Sequence, residues 1–286
     1  MRGGGHARRA LAQYVTVHVL PLLRDVDPAT DTGASLFAAA SEQTYLLGWM
    51  AFDDGRQALA QRYLVQSLRL AQASGDAKLG SHVLAGMCDQ ARMVGHPREA
   101  LHLASAGRHG LSRAYSPACA ADLWALQGRA HAILGEVREA ARAVAASEAA
   151  FDQVHRGDEP EWARFIDTAY LAGEWANAFG DIVRPVESTR FARRSAAEAR
   201  NQKRARRGAL SQAALARAAL TSDSLDLEAA VHNANRALDL AVTVKSSRCT
   251  HAITDLRARI QPFHTVAVAR DFDERARVAL ATSRRT

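Results

Sequence analysis

Apolar residues recur along this chain three and four positions apart, the spacing of helices with one buried face. The pattern is clearest at 44–52, 56–71, 123–134 and 137–150, and these stretches come in pairs divided by a glycine. Only 14–20 (YVTVHVL) alternates with period two for any length, so strands are not expected. The dividing glycines are Gly55, Gly95, Gly135 and Gly173, each followed five residues later by Ala60, Ala100, Ala140 and Ala178, with a degenerate fifth copy at Ser224/Ala229. The steps are 40, 40, 38 and 51 residues. Self-similarity at such an interval predicts a helical repeat array, which serves more often as a binding surface than as a catalyst.

The repeat has a physical logic. A glycine at the end of the first helix supplies the positive φ that closes it. With that glycine as position fifteen, position eight is Gly48, Cys88, Gly128, Ile166 and Arg217. Small residues at positions eight and twenty let the two helices of a pair approach closely. Trp124 lies four residues before Gly128, with Gly135 and Ala140 following in register. This order of bulky, small, turn and small is the tetratricopeptide pattern, here with a longer step that also falls in the HEAT range. The expected fold is all-α, a tetratricopeptide-like right-handed helical solenoid. Its expected parts are an N-terminal helix and linker (1–34), repeats over 35–260 and a C-terminal capping helix (261–286).

Composition supports a large helical core: 48% of the 286 residues are hydrophobic, 6% are aromatic and only seven are proline. Arg8-Arg9 and the apolar run to Leu23 have the outline of a signal peptide. His18, Pro21 and the lack of a small-x-small cleavage site favour a first packed helix instead. No run approaches the ~18 apolar residues of a membrane span. Three cysteines, Cys88, Cys119 and Cys249, cannot all pair, and each has apolar helical neighbours, which reads as buried thiols in a reducing cytoplasm.

Positive charge is concentrated. Arg190, Arg193, Arg194, Arg200, Lys203, Arg204, Arg206 and Arg207 face one acid, Glu198, so this segment carries the whole net charge of +7. Such a cluster can track phosphates, but only Phe191 supplies an interleaved aromatic. A solvated or subunit-contacting linker between the fourth and fifth repeats is the expectation. The sequence holds no GxGxxG, Walker loop, HExxH, CxxC or GxSxG. Its eleven histidines are scattered, and nothing marks a base for Cys119 beside Ser116-Pro117-Ala118. No enzyme activity, cofactor or metal is expected.

Several stretches carry a resemblance. Leu46-Leu47-Gly48-Trp49-Met50-Ala51-Phe52-Asp53-Asp54-Gly55, then Ala60-Gln61-Arg62-Tyr63 and Ala71-Gln72-Ala73-Ser74-Gly75-Asp76, open the series. Gly95-His96-Pro97-Arg98-Glu99-Ala100, Asp158-Glu159-Pro160-Glu161-Trp162-Ala163, and Ser247-Arg248 with Asp255-Leu256-Arg257 continue it. Over roughly residues 5–280 the chain resembles the C-terminal tetratricopeptide sensor region of actinobacterial XRE-family (Cro/CI-type helix-turn-helix) transcriptional regulators. The resemblance implies a cytoplasmic ligand- or peptide-sensing and self-association module, a homodimer, in a transcriptional regulator. The family's helix-turn-helix would precede Gly3-Gly4-Gly5-His6 and is not in this sequence. The chain is then a fragment, the product of a shortened gene or a natural sensor without a reader. DNA contact is expected only through that absent domain, and any residual affinity should be sequence-independent and salt-sensitive. A scaffold that gathers proteins without a switching ligand is the alternative.

In the expected superhelix, positions two, five, nine, twelve and thirteen of each unit share the inner face. They give Glu42, Tyr45, Trp49, Phe52 and Asp53, then His82, Asp89 and Arg92, then Arg129, then Asp167 and Tyr170. Position nine runs Trp49, Asp89, Arg129, Asp167, an acid–base–acid order suited to a peptide or small polar effector. Trp49 and Tyr45 would equally serve as core, and Asp89 as a partner of Arg129.

Overall fold

Helix after helix in this chain is closed by a left-handed residue. The computed structural model describes residues 4–155, 157–221, 225–244 and 246–283, without the side chains of 4–6, 113 and 283. Among these residues there are thirteen α-helices and no strand. Helix α1 (Gly4–Tyr14) runs on through a π-helical turn (Val15–Val19) and a 3-10 turn (Leu20–Leu23), so the alternating run 14–20 is coiled rather than extended. Five helix pairs follow: α2 (Asp31–Asp53) with α3 (Gln57–Ser74), α4 (Ala77–Met93) with α5 (Pro97–Gly110), α6 (Pro117–Ile133) with α7 (Val137–Phe151), α8 (Thr168–Asp181) with α9 (Pro185–Asn201), and α10 (Ala205–Thr221) with α11 (Leu227–Ala241). Helices α12 (Ser247–Ile260) and α13 (Ala267–Ser283) end the chain. The helices form two units, Gly4–Ile166 and a second beginning at Asp167. No helix among the described residues is long and apolar enough to cross a membrane.

In the first unit the expected turns are present and share one hydrogen-bond pattern. Gly55, Gly95 and Gly135 have φ of +74°, +89° and +75°. The Gly55 N–H donates to Phe52 O at 2.9 Å and the Arg56 N–H to Ala51 O at 2.9 Å. His96 and Glu136 repeat the second bond to Ala91 O and His131 O. This is the Schellman closure of a helix. A Cβ on Gly48 would lie 2.9 Å from Leu64 Cδ2, and one on Gly128 3.3 Å from Val144 Cγ2, so position eight is small where the paired helices cross.

The second unit departs from the expected register. Gly173 is no turn: it lies inside α8, and Ala178 lies in the same helix. A Cβ on Gly173 would fall 2.6 Å from Arg207 Nη1, so glycine there admits a side chain from α10. The fourth turn is at Val183, with φ +56°, where Arg184 N–H donates to Phe179 O at 2.8 Å. Position twenty is accordingly Ser188, whose hydroxyl donates to Ala176 O at 2.8 Å, and Ala176 rather than Ile166 sits at the crossing. The long connection 152–167 between α7 and α8 causes this shift. In the fifth pair Ser224 lies outside the described residues, the fully buried alanine is Ala230 rather than Ala229, and Arg217 turns to Asp181 at 2.5 Å.

A second marker fixes the register. Twelve residues beyond each turn stands a buried small residue: Ser67, Gly107, Ser147 and Ser195. The hydroxyls of Ser67, Ser147 and Ser195 donate to Ser41 O, Ala121 O and Ala169 O at 2.9, 2.6 and 2.6 Å, each clipping its helix to the preceding one.

These turns make a pair of opposite predictions. Nothing lies within 4 Å of a Cβ on Gly135, so Gly135→Val should cost about 1–3 kcal/mol through backbone strain alone. Val183 is 64% exposed and contributes no core, so Val183→Gly should stabilise by ~1 kcal/mol. Denaturant unfolding of the two variants checks both signs; a neutral Gly135→Val would refute the left-handed turn.

The basic cluster also differs from expectation. It lies on α9, the turn at Lys203 and the start of α10, not in a linker. Arg190, Arg193, Arg194, Arg200, Lys203 and Arg206 are exposed, whereas Arg204 and Arg207 turn to Asp167 and Glu174.

Candidate functional site

In the first unit α2 carries Glu42, Tyr45 and Trp49 along one face, and α4 carries His82, Asp89 and Arg92. Tyr45 reaches across to His82, with ring centroids 4.4 Å apart, and meets Trp49 edge-on at 6.1 Å. Gly86 makes this possible, because a Cβ there would come within 2.6 Å of the Tyr45 ring. On the same imidazole lie two residues from the connection 152–167: Trp162, stacked at 4.8 Å, and Phe165, tilted at 5.6 Å.

His82 is thus enclosed by three aromatic rings and only 3% exposed. Its Nδ1 is buried with no hydrogen-bond partner among the described residues. Burial pushes its pKa down to about 3, so the ring is neutral at ordinary pH. Burial also pushes the Tyr45 phenol well above its usual range, with the Asp122 and Asp89 carboxylates adding to the effect. Glu42 is at the exposed rim, its carboxyl raised by partial desolvation and then by Asp76 and Glu161.

Deeper on α4, Asp89 and Arg92 form an ion pair whose side chains are almost wholly buried. Arg129 and Asp122 on α6 are buried as well. The N-terminus of α6 is capped by Ser116, whose Oγ accepts the Cys119 N–H at 3.1 Å. That hydroxyl in turn donates to Glu159 Oε2 at 2.6 Å, and the Ala118 N–H donates to Glu159 Oε1 at 2.9 Å. A buried carboxylate on a helix N-terminus gains from both the orphan donors and the helix dipole. Burial pushes the Cys119 thiol up to about 12, which keeps it protonated.

Of the eleven residues marked by the sequence, the structure brings Tyr45, Trp49 and His82 into one aromatic cluster, with Glu42 one helical turn from Tyr45. Phe52 continues this run of rings, meeting Trp49 edge-on at 5.2 Å, but as core rather than as open surface. It is 1% exposed and packs with Ala51 and Ala60, because the turn at Gly55 folds α3 over this end of α2. Asp167 and Tyr170 belong to the second unit. Asp167 is not on a helix face but caps α8, accepting the Tyr170 N–H at 2.9 Å and pairing with Arg204 at 2.7 Å. Tyr170 lies beneath the Arg207 guanidinium at 4.9 Å. With the turn at Val183, position nine of the fourth pair becomes Asn177, so the acid–base–acid order along one groove does not exist. Asp167 instead opens a ladder from α8 to α10, continued by Glu174–Arg207 at 3.2 Å and Asp181–Arg217 at 2.5 Å.

Helical spacing misses Glu159, Trp162 and Phe165, which stand outside the α-helical pattern. The available signal was their own spacing of three within a stretch that holds a single 3-10 turn (Glu161–Ala163). Among the described residues no group of three or more His, Cys, Asp or Glu is placed to hold a metal ion. Compared with known proteins, the chain matches no family model and no curated protein.

Proposed function

We propose that this chain is a non-enzymatic sensing and self-association module of an XRE-type transcriptional regulator, its helix pairs stacked as tetratricopeptide-like units. The effector, a peptide or small polar molecule, is received on the face shared by α2, α4 and α6. One observation carries this reading: the neutral His82, buried among three rings with Nδ1 unpartnered, on the helix that also carries the buried Asp89–Arg92 pair. A buried polar atom without a partner costs about 1–3 kcal/mol, so such a cluster suits recognition better than stability. The module works as a homodimer in the cytoplasm, where its three buried thiols stay reduced, and DNA is touched through the regulator's helix-turn-helix rather than through these helix pairs. A protein-gathering scaffold without a switching ligand is the competing reading, favoured by the exposed arginines of α9.

The test begins with thermal-shift screening of short peptides and polar metabolites. Arg129→Ala is expected to keep the helical circular dichroism and the dimer while losing the effector's shift. Truncating one side of a buried charged contact weakens binding by about 2–5 kcal/mol. An unfolded Arg129→Ala would make the residue structural, and a full response would place binding elsewhere and favour the scaffold.

A further inference from the structure

The connections 75–76 and 202–204 between other helix pairs are short, and half of 111–116 is a 3-10 turn, but residues 152–167 form a long connection. Loops of this length without regular structure are uncommon unless they do something. This one lies on the first unit through three anchors spaced three residues apart. The Glu159 carboxylate takes the Ser116 hydroxyl and the Ala118 N–H at the start of α6. Trp162 stacks on His82 from α4, and Phe165 packs on the same imidazole. Every feature of the seat belongs to α2, α4, α6 or the Ser116 cap of α6, and none to the segment itself. Ser116 also caps Cys119, and Gly86 seats Tyr45 against His82.

We infer that this face is a peptide-binding site filled in cis by residues 158–166, and that its free ligand is a peptide with a carboxylate three residues ahead of a tryptophan. The inference deepens the sensing reading above, on its peptide branch. Helix N-termini bind carboxylates through orphan N–H groups, and aromatic anchors in pockets supply most of the affinity of short peptides. The cis occupant is an incomplete ligand, because it leaves His82 Nδ1 buried and unpartnered. A peptide that also offers a hydrogen-bond donor there would displace it. The site is thus held closed by its own chain, and the affinity of a free ligand is reduced by the fraction of molecules in which the segment has lifted.

The test uses the full chain and a fluorescein-labelled peptide of sequence 158–166 (DEPEWARFI). A Glu159→Ala/Trp162→Ala protein, with its helical circular dichroism intact, should bind this peptide at least about tenfold more tightly than the wild type. Adding His82→Ala should remove that gain. A folded double variant that binds no better than wild type overturns the inference. A second measurement keeps the question open to test should the double variant fail to fold. Arg164 is exposed, so tryptic cleavage after it reports whether the segment is seated. A large excess of the same peptide bearing Arg164→Gln should accelerate that cleavage in wild-type protein several-fold, and a scrambled peptide should not. Unchanged cleavage overturns the inference. Because the ligand is the chain's own segment, the outcome does not depend on finding an effector; a failed effector screen with successful add-back would refute the sensing role alone.

Discussion

Acid is expected to destabilise this protein through His82. The folded pKa is lowered from 6.5 to about 3 by burial, while the unfolded chain keeps the ordinary value. Below 6.5 the unfolded state therefore binds a proton that the folded state refuses, and stability falls as pH falls. The cost is about 1.4 kcal/mol for each pH unit between 6.5 and 3, or roughly 3 kcal/mol two units below 6.5. Above 6.5 the effect vanishes, since both states are neutral. His82→Phe keeps a ring against Tyr45 and Trp162 and removes the titration. Urea unfolding at pH ~7.5 and ~4.5 should show wild type losing about 3 kcal/mol more than His82→Phe. Parallel losses would mean that the imidazole reaches water in the folded state.

The second large effect lies in the second unit. Arg207 and Glu174 pair at 3.2 Å with side chains only 9% and 11% exposed, and the guanidinium also covers Tyr170. Breaking a buried pair from one side typically costs 3–5 kcal/mol, because the remaining charge loses its counterion in a poorly hydrated place. Arg207→Ala should therefore lower unfolding stability by about that amount. Arg207→Met combined with Glu174→Gln should recover most of it, since the desolvation penalty leaves with the charges. A loss below about 1 kcal/mol would place this pair with ordinary surface ion pairs.

What the sequence made legible follows from chemistry. Gly55, Gly95 and Gly135 could be read as turns because a positive φ leaves a compositional trace, and all three have it. Val183 could not, since a β-branched residue in that conformation defies the preference on which the reading relies. Gly173 then supplied a false turn, being small to admit Arg207. The small residues twelve positions past the turns, three serines and Gly107, were readable and would have corrected the register. On the site, spacing placed Tyr45, Trp49 and His82 together, because helical faces are periodic. It also placed Phe52 next to Trp49, which the rings' edge-on contact bears out, but gave no sign that the returning helix buries this end of the face. Trp162 and Glu159 were beyond periodicity, since their partners are 80 and 43 residues away along the chain.

The serine clips bear on how freely the parts of this chain can be exchanged. In the first and third pairs the clip spans the same 26 residues, from Ser41 to Ser67 and from Ala121 to Ser147. Each span encloses a glycine at the crossing and a glycine at the bend, at matching offsets. The two pairs therefore share one register from clip to crossing to bend, although their helices differ in length. The fourth pair keeps the clip between Ala169 and Ser195 but bends at a valine and crosses at an alanine. It keeps the 26-residue spacing and changes the residues at both the bend and the crossing, so an exchange of sequence would preserve that spacing while altering those two contacts.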